Sequence, residues 1–400
     1  MNKALAGVRI LDLTHMLSGP YGAMILADLG AETIKVEPLH GEGTRKLLAR
    51  DPDNSLDGMG AYYITLNRNK KSVAIDLKSE AGRGVFLDLV READVVISNF
   101  GVGVPERLGI DYDTLAAVNP RIITCTVTGF GSDGPRPNRP AFDQVAQAMG
   151  GGMSITGPDV EHQVRAGIPI GDLGGGMFAV MGVQAALLER ERSGKGQHVD
   201  ISMLDCQVSM LNYMATMYFL SGKDPYPIGN SHFVHVPYNT FRTADGWIVI
   251  AVITDNFWQN LKTVVDIPEF ADPKYDTQPG RWEDRDMINR RLDEVLSTNT
   301  SAHWLAALEE KRIPCAPVNR FSQALSDEQV LHRNMVVDLP HPNGKATRGP
   351  GNPIKLSRTG EEAFTAAPEV GQDTDEVLRD LLGYPEERIA ELKAQEAVGG

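Results

Sequence analysis

Asp172 stands in the stretch GIPIGDLGGG (167–176), where a short strand-like run over 168–170 ends at Gly171 and three consecutive glycines open an apolar helix. An aspartate there is a favoured N-cap, because its oxygen accepts a bond from an otherwise orphaned backbone N–H. The glycines argue for more than a cap. Each costs roughly 1 kcal/mol against alanine inside a helix, so three in a first turn suit a backbone that something bulky must approach closely. The helix dipole and the free N–H groups would favour negative charge at the same spot. Asp172 is thus read as capped and reactive at once. His232 and His235 resemble a metal pair, but no third ligand accompanies them, so no metal site is expected. The GKG at 194–196 reads as a turn.

An alternation of strands and helices must position this acid. VRILDL (8–13), TIKVEP (33–38), KKSVAIDL (70–77), DVVISNF (94–100) and IITCTVTGF (122–130) read as buried strands. SGPYGAMILADLG (18–30) reads as a helix with Pro20 near its start and Gly30 as its stop, and 79–92 as another. Repeated βαβ units imply an α/β fold, a Rossmann-like, mainly parallel sheet with helices on both faces. No GxGxxG follows the first strand, which excludes the usual dinucleotide fingerprint. The Pro/Gly-rich SGKDPYPIGNSHFVHVP (221–237) reads as a linker into a smaller α+β domain, opened by the hairpin-like YNTFRTADGWIVIAV (238–252). The expected domains are 1–224, 225–325, and a C-terminal segment 326–400 that returns to the large domain.

Four hundred residues exceed one small core. A formal net charge of −14 argues against nucleic acid or an anionic membrane surface as partner, so an anionic ligand must find local basic residues. Cys125, Cys206 and Cys315 are scattered and odd in number, which fits a reducing cytosol. The N-terminal apolar stretch is too short and interrupted for a signal peptide. No run approaches the length needed to cross a bilayer.

Eight stretches, in order along nearly the whole chain, resemble the class III coenzyme A transferases of the formyl-CoA and carnitine-CoA type. They are GVRILDLTHMLSGPYGAMILADLGAETIKVEP (7–38), LNRNKKSVAIDLK (66–78), DVVISNFGVGVPERLGIDYDTL (94–115), AFDQVAQAMGG (141–151), GIPIGDLGGG, RSGKGQHVDISML (192–204), PYNTFRTADGWIVIA (237–251) and VGQDTDEVLRDLLGY (370–384). The resemblance implies a two-domain subunit in an interlocked homodimer, a coenzyme A thioester as substrate with no permanently bound cofactor, and Asp172 as the catalytic aspartate. It implies that His15, Met16, Leu17 and Ser18 line the coenzyme A site, and that Asn99 and Arg107 hold its nucleotide. Lys70, Lys71, Arg136 and Arg139 are phosphate partners by position and charge.

In such an enzyme a carboxylate attacks a thioester, giving a mixed anhydride and then an aspartyl-CoA thioester. The N–H groups of Leu173 to Gly175 would stabilise the oxyanion, the glycines would leave room for the pantetheine arm, and Phe142, Met16 and Leu17 would help exclude water. The formyl branch has a glutamine where Leu17 stands, and a glycine run where this chain has GNSHFVHVPYN (229–239). The resemblance is therefore closer to the succinyl-CoA-dependent dicarboxylate branch, with His232 and His235 offered to a second carboxylate. A 2-methylacyl-CoA racemase is the alternative of the same fold. It pairs its aspartate with a histidine, and PAFDQ (140–144) puts Phe142 there instead. A non-catalytic CoA-binding protein is the other alternative, and it could dispense with Asp172.

Overall fold

The computed structural model describes residues 3–360 and 362–400. Two compact units divide the chain: Met1–Gly152, Ala166–Ser221 and Gln329–Gly400 form the first, Met153–Arg165 and Gly222–Glu328 the second. The short excursion at 153–165 was expected within the large domain. Its backbone instead bonds to the linker of the second unit, Gly229 N donating to Gly157 O at 3.0 Å.

The first unit is built on a seven-stranded sheet. Its strands are β1 (Arg9–Asp12), β2 (Glu32–Glu37), β3 (Lys70–Ile75), β4 (Val95–Ser98), β5 (Ile123–Thr128) and β6 (His198–Ser202), with Val398–Gly399 at one edge. The order is 398–399, β3, β2, β1, β4, β5, β6. All neighbours pair in parallel except the edge strand, which runs antiparallel to β3. Strands buried on both faces carry near-continuous apolar runs, as VVIS in β4 does. One core, with Leu11, Ile34, Val73 and Phe86, lies on one face. The other, with Ile10, Ile25, Leu26, Val95 and Val183, lies beneath the helices named next.

The chain runs outward from β1 to β3 and then returns to place β4 on the other side of β1. That reversal opens a crevice at the carboxyl ends of β1 and β4, where ligands of open α/β sheets bind. Four helices surround it: α1 (Ser18–Asp28), α2 (Asp143–Met149), α3 (Ile170–Ser193) and α4 (Met203–Met210). The strand expected over 168–170 is the lead into α3, whose first turn begins at Ile170. A bilayer-length segment was not expected, yet α3 is long and apolar enough to qualify by length and composition. Its buried face of Gly175, Gly176, Ala179, Val180 and Val183 is nonetheless part of the core. Near its end, Arg190 pairs with Asp94 at 2.9 Å.

The second unit has a three-stranded antiparallel sheet, β7 (Tyr238–Arg242), β8 (Trp247–Ala251) and β9 (Cys315–Pro317), in the order β9-β8-β7. Helices close it over Phe241, Ile250, Trp258, Phe270 and Leu292.

Candidate active site

The crevice holds two adjoining cavities. One, of about 380 Å³, is lined by His15, Met16, Ser18, Asn99, Arg139, Phe142 and Asp172, among others. The other, of about 650 Å³, shares His15, Met16 and Phe100 with it and adds Glu42, Lys78 and Arg107 over an apolar floor. Seven of the residues expected around a thioester therefore meet in the first cavity, and Arg107 joins through the second.

The loops after β1 and β4 are tied together at the crevice. Asn99 Oδ1 accepts the N–H of His15 at 2.9 Å, and its Nδ2 donates to the carbonyl of His15 at 2.7 Å. Asn99 thus acts on the backbone of the neighbouring loop, a role distinct from the nucleotide contact expected of it. Met16 follows at φ 64°, a left-handed turn that aims the chain into α1. Burial and the Lys35 ammonium both lower the His15 pKa against the opposing pull of Asp12.

Asp172 is the third residue of α3, one turn past the position of a cap. Asp143 does the capping instead: its Oδ1 accepts the N–H of Gly171 at 2.8 Å and of Asp172 at 3.4 Å. Freed from capping, the Asp172 side chain lines the cavity. Burial, and then the negative charge of Asp143, push its carboxyl up to about 6. Tyr62, half-buried on the helix Ala61–Asn67, is pushed up to about 12 by burial and then by Asp172, Glu42 and Asp143. A phenol held neutral near a carboxylate can only donate to it.

The glycines have a different cause from the one expected. Positions 175 and 176 lie one turn beyond Asp172 on the same face of α3. A Cβ at Gly175 would stand 2.5 Å from Ser18 Oγ, and one at Gly176 would stand 2.6 Å from the carbonyl oxygen of Ser18. On α1, a Cβ at Gly22 would stand 2.9 Å from the carbonyl oxygen of Gly176. A Cβ at Gly174 would stand 2.8 Å from Met210 Cε on α4, while Gly175 and Gly176 admit α1. By letting the two helix starts touch, they bring Ser18 and the His15 loop beside Asp172. The oxyanion donors expected at Leu173 to Gly175 are also otherwise engaged. Leu173 N–H donates to Pro169 O at 3.0 Å, and the next two lie inside the helix, where the i to i−4 ladder takes them.

Of the remaining predicted residues, Lys70 is turned inward. Its ammonium is fully buried and bonds Asp12 at 2.7 Å, Asn67 Oδ1 at 3.1 Å and Pro20 O at 3.2 Å. Burial is the main influence, bringing it down to about 8 against the raising effect of Asp12. A phosphate outside has no ammonium to meet there. Lys71 pairs with Glu376 at 3.0 Å and Glu32 at 3.5 Å, away from both cavities. Leu17 is the N-cap of α1 and lines neither cavity. Arg136 is exposed and lines neither, while Arg139 stacks over Phe130 at 5.6 Å. The Phe142 ring is 63% exposed, a poor water barrier in the single chain.

His232 and His235 belong to the second unit. His232 stacks on Tyr238 at 5.1 Å and lies 4.9 Å from His235, ring centre to ring centre. Among the described residues, no three His, Cys, Asp or Glu side chains gather as a metal site would require. Asp143, Tyr62 and Lys78 are the site residues that sequence reasoning missed. Asp143 alone carried a signal, as the acid next to Phe142 in PAFDQ.

Residues 5–374 match the family described as CoA-transferase family III. The chain is 39% identical to an acetyl-CoA:oxalate CoA-transferase of Acetobacter aceti, over 88% of each protein. It is 35% identical to a succinyl-CoA:glutarate CoA-transferase of Mus musculus, over 98% of this chain and 89% of that one. Among solved structures, a CAIB/BAIF family protein from Brucella suis matches with a TM-score of 0.86 and 34% identity, covering 95% of this chain and all of that one.

Proposed function

The chain belongs to CoA-transferase family III, and from that premise we propose that it moves coenzyme A from succinyl-CoA to a dicarboxylic or substituted succinic acid through covalent intermediates on Asp172. The supporting observation is the placement of Asp172. It is a carboxylate of raised basicity in the wall of a cavity that adjoins a second, larger one between the same two loops. An acyl group and a long thiol can occupy such a pair together.

In the proposed cycle an Asp172 oxygen attacks the thioester carbonyl, the C–S bond breaks, and coenzyme A leaves as thiolate. The thiolate attacks the Asp172 carbonyl of the anhydride and the donor acid departs as carboxylate. The acceptor carboxylate attacks the aspartyl thioester and releases thiolate again. Thiolate attack on the acceptor's acyl carbon then forms the product and frees Asp172. Each step exchanges one carboxylate or thiolate for another, so no outside proton or oxidant is required.

The acids named for the two relatives, oxalate and glutarate, are both dicarboxylic, which supports that class of acceptor here. An ionised second carboxylate must be met by donors. Within the second unit, His232 Nδ1 accepts the N–H groups of Val234 at 3.0 Å and His235 at 3.2 Å, which leaves Nε2–H as a donor of the kind such a carboxylate needs. We also place the enzyme in the cytosol as an interlocked homodimer. The test is a panel of acyl-CoA donors, acetyl-CoA and succinyl-CoA included, against mono- and dicarboxylic acceptors, read by mass spectrometry. Dicarboxylates should give the higher kcat/KM, and a preference for monocarboxylates rejects this substrate class.

A further inference from the structure

The Asp143 carboxylate is held from both sides. Its Oδ1 accepts two backbone N–H groups at the start of α3, and its Oδ2 accepts Gln147 Nε2 at 2.8 Å. Gln147 is 3% exposed and is anchored in turn, its Oε1 accepting the N–H of Ala166 at 3.0 Å. A Cβ at Gly171 would stand 2.9 Å from the carbonyl oxygen and 3.0 Å from Oδ1 of Asp143, so glycine is needed for this approach. A short helix has thus been joined to the start of a long one through a single carboxylate, immediately beside the reactive acid.

Resting on the transferase reading above, we propose that Asp143 is a positioning residue of the reaction: its fixed charge and its grip on the α3 N-terminus hold Asp172 in place and set the pH range over which Asp172 is ionised. A negative charge beside a carboxylate disfavours ionisation, and a more basic carboxylate is the stronger nucleophile. The other groups facing this end of α3 are few. The elements α1 and α4 present Ser18, Tyr21, Met203, Gln207 and Met210 to the glycines. His15 and Arg139 line the same cavity, and Tyr62 approaches electrostatically with its phenol neutral. Asp143 is the charge that bears directly on Asp172.

The test follows the Asp172 carboxyl by ¹³C NMR titration in the resting enzyme, with Asp172→Asn to assign its signal. Asp143→Asn, which keeps an acceptor and loses the charge, should move the Asp172 midpoint down by about one pH unit. The acid limb of kcat/KM should move with it. Gln147→Ala disturbs the same contact but leaves the charge, and should leave the midpoint in place. An unchanged midpoint in Asp143→Asn, or equal shifts in both variants, overturns the proposal. Should Asp143→Asn not fold, Asp143→Ser, which also keeps an acceptor and loses the charge, takes its place in the same comparison, and an Asp172 midpoint in the ordinary aspartate range in the wild type is equally fatal. The titration needs no turnover. Failure of the transferase reading would show instead as no coenzyme A transfer by the wild type with any donor of the panel, or as undiminished transfer in Asp172→Asn.

Discussion

At the scale of single residues, Asp172 carries a burden that folding does not relieve. Its pKa is raised, so between the ordinary value near 3.8 and about 6 the folded chain binds protons that the unfolded chain has lost. Stability therefore falls as pH climbs through that window, and the loss is complete above it. Replacing the acid with its neutral isostere should stabilise the fold while abolishing transfer. Asp172→Asn is expected to gain about 1–2 kcal/mol at pH 7, after allowance for partial exposure, with the gain shrinking toward pH 4. Urea denaturation at both pH values measures it. The sequence exposed Asp172 because a lone acid beside three glycines is conspicuous. It could not expose Asp143 as the cap, because that bond joins residues 28 positions apart and depends on where the β5–α2 connection lands. Lys70 misled for a related reason: a lysine at a strand start looks solvent-facing until the sheet brings Asp12, at the end of β1 two strands away, against its ammonium.

At the scale of elements, the α1–α3 contact shapes the site. Helix propensity alone favours Gly→Ala by roughly 1 kcal/mol. At Gly176 the added methyl would meet backbone, the Ser18 carbonyl oxygen at 2.6 Å and Gly22 N at 3.2 Å, and backbone cannot swing aside. Gly176→Ala should therefore destabilise by about 1–3 kcal/mol and lower kcat/KM, because the displaced α1 start carries Ser18 and the His15 loop with it. Gly84, on the helix Glu80–Arg91, has nothing within 4 Å of its Cβ position. Gly84→Ala should raise stability by up to about 1 kcal/mol. Opposite signs in denaturation midpoints check both. Most elements of the parallel sheet were legible because their apolar runs have strand length and their helices carry start and stop residues. The start of α3 was not. IPI reads as strand by its β-branched residues, and only the carboxylate arriving from α2 makes a helix start there.

At the scale of the whole molecule, the first unit carries an apolar surface that water does not suit. The helix Tyr213–Ser221 exposes Phe219 at 81% and Leu220 at 84%, and Leu188 on α3 is exposed at 66%. Large exposed apolar side chains are what an interface covers, which supports the proposed homodimer. Sedimentation should find twice the 43.6 kDa chain mass. Phe219→Asp together with Leu220→Asp should shift the equilibrium to monomer with little change in the monomer's own stability, since both side chains are largely exposed and Phe219 meets the Tyr218 ring only edge-on, at 5.6 Å. Asp172, the α1–α3 contact and the paired cavities meet in one proposed bond, between coenzyme A and Asp172. The most direct measurement is to mix enzyme with succinyl-CoA, quench with hydroxylamine, and locate the product by peptide mass spectrometry. The account predicts a hydroxamate on Asp172 that appears only with the acyl-CoA present. A modification on another residue, or steady turnover with Asp172 never modified, would contradict it.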